Sequence, residues 1–128
     1  MASNADLHRR MDEALNKGDL DAARELMADD MVAHFVIDNP FGGNYHGLDA
    51  FFEVNQQVYD LTDGTFSVEH RDTLESDERS IAISKMSATR DGNRFEGDVV
   101  DICLWKDRKL VEEWILPLNP QEFNAFWS

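Results

Sequence analysis

Asp101 and His34 are the two side chains whose surroundings point to chemistry. Asp101 interrupts the apolar run Val99-Val100-Asp101-Ile102-Cys103-Leu104. Side chains alternate along a strand, so Val99, Asp101, Cys103 and Trp105 share one face. A carboxyl group in such a set faces a cavity or is paired within one, where its proton affinity shifts. It could equally be a structural aspartate held by an amide, a hydroxyl or His34. His34 sits among Met31, Val32, Phe35 and Val36. An imidazole there could shuttle protons near neutral pH, its unperturbed pKa being about 6.5. The alternative is a core histidine bonded to backbone. An imidazole and a carboxyl group meeting in one cavity would support acid–base chemistry.

Weaker candidates surround this pair. Glu113 alternates with Ile115 and Pro117; if that face looks into the pocket, it adds a second carboxylate, and Glu112 then lies outside. Both glutamates could instead be surface charges beside Trp114. Asn55 on a helix could orient a ligand through its amide. Trp105, Phe51 and Tyr45 could line an apolar pocket or simply fill the core. Cys103 shares the Asp101 side and reads as a small apolar filler. His8, His34, His46 and His70 form no histidine pair at i, i+4 spacing, so no metal is expected. Gly42-Gly43 lacks the context of a phosphate loop and no G-x-S-x-G elbow occurs, so no cofactor is expected.

The chain has 128 residues, 42% of them hydrophobic, enough for one domain (1–128) with its own core. Twelve Lys and Arg against 26 Asp and Glu give a formal net charge of −14. That balance argues against nucleic acid and against an anionic membrane surface as partners. The single cysteine excludes an intrachain disulfide. No apolar run approaches the ~20 residues of a membrane span, and the N-terminus lacks the regions of a signal peptide. A cytoplasmic protein is the expectation.

Helical spacing governs the first half. Leu7, Met11, Ala14 and Leu15 form one stripe, stopped at Gly18. Asp19 caps a second helix whose face is Leu20, Ala23, Leu26 and Met27. A strand is expected over 31–37, a turn over 38–44, and after Gly47 a third helix bearing Phe51, Val54, Asn55 and Val58, with Phe52 off that face. Strands are then expected over 65–74, 80–90, 95–105 and 109–116, joined by short turns that make neighbours antiparallel. Asn119-Pro120-Gln121-Glu122 reads as the capped start of a last helix anchored by Phe123, Phe126 and Trp127. Helices first and an antiparallel meander after define an α+β class. Apolar residues on both faces of 98–105 predict that the outer face is covered, by a second subunit in a homodimer.

The run Ala14-Leu15-Asn16-Lys17-Gly18-Asp19-Leu20, followed by Leu26-Met27-Ala28-Asp29-Asp30, resembles the opening of SnoaL-like proteins. These belong to the nuclear transport factor 2-like superfamily, with ketosteroid isomerase and scytalone dehydratase as relatives. Asn39-Pro40-Phe41-Gly42-Gly43, Tyr45-His46-Gly47 and Lys109-Leu110-Val111-Glu112-Glu113-Trp114 fit the same pattern, which covers nearly the whole chain. The resemblance implies a cone-shaped α+β barrel: N-terminal helices on a curved, mainly antiparallel sheet, with a pocket at the open end. Many such proteins dimerise through the outer sheet face. By position, Asp101 resembles the isomerase's enolate-binding aspartate and His34 stands in the place of its base aspartate. Met11 takes the place of its oxyanion tyrosine and cannot donate a hydrogen bond, so steroid isomerisation is not implied. Because the superfamily holds enzymes and binding modules alike, two functions stay open. One is a cofactor-independent isomerase, cyclase or dehydratase acting on an apolar carbonyl compound, with His34 as base and Asp101 as donor or orienting partner. The other is a non-catalytic ligand-binding or dimerisation module.

Overall fold

The structure, a computed structural model, describes residues 2–128. The elements run α1 (Asn4–Lys17), α2 (Leu20–Leu26), β1 (Met27–Phe35), β2 (Gly43–His46), α3 (Leu48–Leu61), β3 (Ser67–Glu75), β4 (Arg79–Arg90), β5 (Asn93–Lys106), β6 (Lys109–Pro117) and α4 (Pro120–Trp127). The six strands form one sheet in the order β2-β1-β6-β5-β4-β3. Only the β1–β6 pairing is parallel. The fold is the expected α+β arrangement of helices on a curved, mainly antiparallel sheet.

Local chemistry explains most boundaries. Ser3 caps α1 by accepting from the Asp6 amide, while the Asp6 carboxylate accepts from the Ser3 amide. Gly18, at φ 71°, takes the left-handed position that ends α1. Asp19 accepts from the Ala22 amide and opens α2. Asp91-Gly92 and Asp107-Arg108 all have positive φ, as two-residue hairpin turns require.

Several sequence expectations shift. β1 begins at Met27 rather than Met31, because α2 ends early and its last apolar residue enters the sheet. Leu20 is exposed. The 38–44 stretch ends in β2, a strand unmarked by apolar alternation because it pairs at the sheet edge, Phe35 opposite Gly43 through Val32 opposite His46. Asn119 makes no side-chain cap, so the box read at α4 does not form.

Two buried clusters hold the molecule. One joins α1, α2, β1, α3 and β5 through Leu7, Met11, Ala23, Met31, Phe51 and Trp105. The other packs Val58, Met86, Phe95, Phe123 and Trp127 beneath α4. Members of both wall a single cavity, so burial on either side leaves a space that neither cluster fills. Bulges interrupt the β1–β6, β3–β4 and β5–β6 ladders and bend the sheet around it. Among the described residues, no helix is long and apolar enough to cross a membrane.

Candidate active site

The cavity encloses about 450 Å³, within the range of small-molecule sites. Its walls are aromatic and aliphatic: Phe35, Phe51, Phe66, Phe123 and Trp127 contribute rings, and Ile115 and Val99 contribute branches. Leu20 and Tyr59, exposed at 44% and 50%, also line it, which places these apolar side chains at the rim. The turn before β2 adds a wall. Asn39 accepts from the Phe41 amide at 2.9 Å, and the Phe41 ring meets Trp127 edge-on at 5.9 Å.

Three carboxyl groups interrupt this apolar lining: Asp12 from α1, Asp101 from β5 and Glu113 from β6. Strand alternation brings two of them inward. Val99, Asp101 and Cys103 share the inner face of β5, and Glu113 and Ile115 share that of β6. Cys103 pairs with Glu113 and Asp101 with Ile115 across the ladder, so the two carboxyl groups are diagonal neighbours.

Behind them lies a histidine pair. His8 is fully buried, one helical turn before Asp12. Its Nδ1 meets the Ser80 hydroxyl at 2.7 Å, and that hydroxyl accepts from the Trp105 indole N–H at 2.8 Å. These contacts aim His8 Nε2 at Asp12 Oδ2, 3.6 Å away, and Asp101 Oδ2, 3.9 Å away. His70 on β3 approaches Asp12 Oδ2 from the other side, with Nδ1 at 3.3 Å. Asp12 thus stands between two imidazoles.

Burial sets the proton affinities. Glu113 is 3% exposed and its Oε2 has no hydrogen-bond partner among the described residues. Burial, followed by the charges of Asp101 and Asp12, pushes its carboxyl well above the usual range. Burial also raises Asp101; the neighbouring Asp12 adds to the rise, and His8 offsets only part of it. His8 is pulled down by burial, but the attraction of Asp101 and Asp12 outweighs this and its pKa rises. Burial raises the Cys103 thiol strongly, so it stays protonated and is no nucleophile. The floor therefore sets two carboxyl groups of raised proton affinity, Glu113 and Asp101, beside the contact between Asp12 and the His8 imidazole. His8, Asp12 and Asp101 also present donor atoms within 4.8 Å of one another, close enough to converge on one cation.

His34 requires a correction. The parallel β1–β6 register sets His34 beside Trp114 and Ala33 beside Glu113, so His34 points to the outer face. There its Nδ1 meets Asn44 Oδ1 and its Nε2 meets Glu112 Oε2, each at 2.6 Å, and its ring stacks on Trp114 at 5.3 Å. Hydrogen bonds to Asn44 and Glu112 raise its pKa. It does not meet Asp101. Met11, Cys103 and Trp105 lie in the packed core and not in the cavity wall, so Cys103 is the small apolar filler expected and Trp105 takes the core alternative. Tyr45 packs beside that cluster and donates to the Phe41 carbonyl at 2.8 Å. Phe51, Asn55, Glu113 and Ile115 do line the cavity, although Asn55 spends its amide on the Phe51 carbonyl. Sequence reading missed His8, Asp12 and His70. The i, i+4 spacing of His8 and Asp12 was the available signal, since it puts both on one helix face.

Comparison with known proteins agrees with this architecture. Bal32a, from a soil-derived mobile gene cassette, is 25% identical with a TM-score of 0.94 over 98% of this chain and 96% of its own. IdmH, a candidate polyketide cyclase from Streptomyces antibioticus, is 20% identical with a TM-score of 0.79 over 98% and 99%. TerC, co-crystallised with polyporic acid, is 16% identical with a TM-score of 0.83 over 95% of each chain. No curated protein matches in sequence. The model of the SnoaL-like domain matches residues 8–113, spanning α1 to β6 and every carboxyl and imidazole group of the cavity floor. The chain belongs to the SnoaL-like domain family.

Proposed function

We propose that this protein is a cofactor-independent acid–base enzyme acting on a small, planar, carbonyl-bearing substrate. The observation that carries this reading is Glu113 Oε2, a buried and unpartnered carboxyl oxygen in an otherwise apolar cavity. A buried polar atom without a partner costs about 1–3 kcal/mol, so its retention is accounted for by a ligand that supplies the partner. A substrate carbonyl meets that need. Neutral Glu113 and Asp101 donate to its oxygen, and Asp12, flanked by His8 and His70, takes the proton α to it. Isomerisation, cyclisation and dehydration all begin with this step. The aromatic walls and the volume suit two or three fused rings. The TerC and IdmH likenesses support a small organic ligand in a cavity of this fold.

The test is hydrogen–deuterium exchange at the α carbon of 2-tetralone in D₂O, followed by proton NMR. The protein is expected to accelerate exchange well beyond buffer. Binding of 2-tetralone without acceleration would make the chain a ligand-binding module instead.

The assembly proposed with this reading is a homodimer through the outer sheet face. Val100, Ile102, Leu104 and Trp114 lie half-buried there and Ile81 is exposed at 36%. Sedimentation at micromolar concentration is expected to give twice the chain mass; a stable monomer overturns the dimer.

A further inference from the structure

Asp12 lies in the wall between two spaces. One is the cavity; the other is an outer crevice of about 300 Å³, lined by Arg9, Asp12, Glu13, Asn16, Lys17 and His70. His70 lines the crevice and reaches Asp12 from that side. Its side chain is 22% exposed, its Nδ1 is 3.3 Å from Asp12 Oδ2, and its Nε2 contacts the Thr73 hydroxyl. The placement has a backbone cause: the β3–β4 register shifts between His70 and Asp72, and such a bulge re-aims a side chain. The other charges around the crevice are engaged elsewhere. Arg9 bonds Asp6 at 2.7 Å and Lys17 bonds Glu13 at 2.7 Å, which leaves His70 as the crevice group in contact with Asp12.

Resting on the acid–base reading above, we infer that His70 is a proton relay that joins the cavity floor to solvent through the wall between α1 and β3. A flat ligand stoppers the cavity and excludes water from its floor. The α proton taken by Asp12 then needs a second exit. It passes to His70 Nδ1 while Nε2 releases one proton to the Thr73 hydroxyl and on to water. The ring gains one proton and loses one, and Asp12 returns to its carboxylate. The reverse sequence delivers a proton to the floor. His70 acts through Asp12 and touches no substrate, so it is a positioning and relay residue.

The experiment uses the full chain labelled with ¹⁵N-histidine and saturated with 2-naphthol, an enol of the proposed substrate shape. Solvent exchange of the His8 ring N–H is measured by NMR in wild type, His70→Gln and His70→Ala. Glutamine keeps a hydrogen bond to Asp12 but passes no proton, so a purely structural role survives it. Exchange in His70→Gln is expected to slow by about 10²-fold or more, the lower end of the range for a positioned proton-transfer group. Added imidazole, which fits the outer crevice, is expected to restore exchange in His70→Ala. Unchanged exchange in His70→Gln with naphthol bound, or no response to imidazole, overturns the relay alone. Failure of 2-naphthol to bind removes the stopper and overturns the relay together with the acid–base reading.

Discussion

Replacing Asp101 with asparagine is expected to lower the 2-tetralone exchange rate by about 10²- to 10⁴-fold, the range for a positioned acid or base. The change is nearly isosteric, and the amide can still donate through nitrogen. It cannot match a carboxylic acid as a donor to a developing enolate, because its proton is far less acidic. It also removes the carboxyl group 3.9 Å from His8 Nε2, one of the two groups that raise the pKa of the imidazole. Both consequences fall on the reacting centre. Binding of 2-naphthol, by contrast, should change little, since the aromatic walls are untouched. A parallel loss of binding and rate would indicate a collapsed cavity, and circular dichroism with a binding isotherm separates the two outcomes.

The second large effect concerns stability. Glu113→Met should stabilise the fold by about 1–3 kcal/mol at pH 7–8 while abolishing exchange, because it removes a buried oxygen that nothing in the protein satisfies. The pH dependence has a definite sign. Glu113 has a folded pKa well above the ordinary glutamate value of 4.5. Above 4.5 the unfolded chain releases the proton while the folded chain keeps it, so stability falls as pH rises toward the folded pKa. Asp101 contributes in the same direction above the ordinary aspartate value of 3.8. His8, raised above 6.5, adds stability that is complete below that value and is lost as pH rises through its folded pKa. Urea unfolding of wild type should therefore weaken from mildly acidic toward alkaline pH. Glu113→Met should flatten that slope, and the difference between the two curves isolates the buried carboxyl from the general repulsion of a −14 chain. Equal slopes would mean that Glu113 is ionised and satisfied at neutral pH.

Local chemistry and periodicity made much of the fold readable. The αL glycine after α1, the Asp19 cap and the Asp91-Gly92 turn each act on their immediate neighbours, so their meaning is written in adjacent residues. Strand alternation grouped Asp101 with Val99 and Cys103, and Glu113 with Ile115, without saying which face looks inward; the structure turns both sets toward the cavity. β2 was not readable, because an edge strand of four residues carries no alternation and is fixed by pairing with β1. The floor of the site was legible only in part. Asp12 and His8 meet Asp101 across 89 and 93 residues of chain, through the packing of α1 on the sheet. His70 reaches Asp12 through a bulge that no residue type announces. His34 misled for a related reason. Its apolar neighbours suggested burial toward the cavity, but the register with β6 assigns it to the opposite face, where Trp114, Asn44 and Glu112 account for it.

A crystal structure with 2-naphthol tests most directly whether the cavity carboxyl groups bind the oxygen of a flat enol. The naphthol oxygen should lie about 2.6–3.2 Å from the carboxyl of Glu113 or Asp101, the reach of a hydrogen bond that can pass a proton. Its rings should fill the space between Phe51 and Trp127. An empty cavity, or naphthol seated with its oxygen turned toward Leu20 and Tyr59 at the rim, would contradict the account.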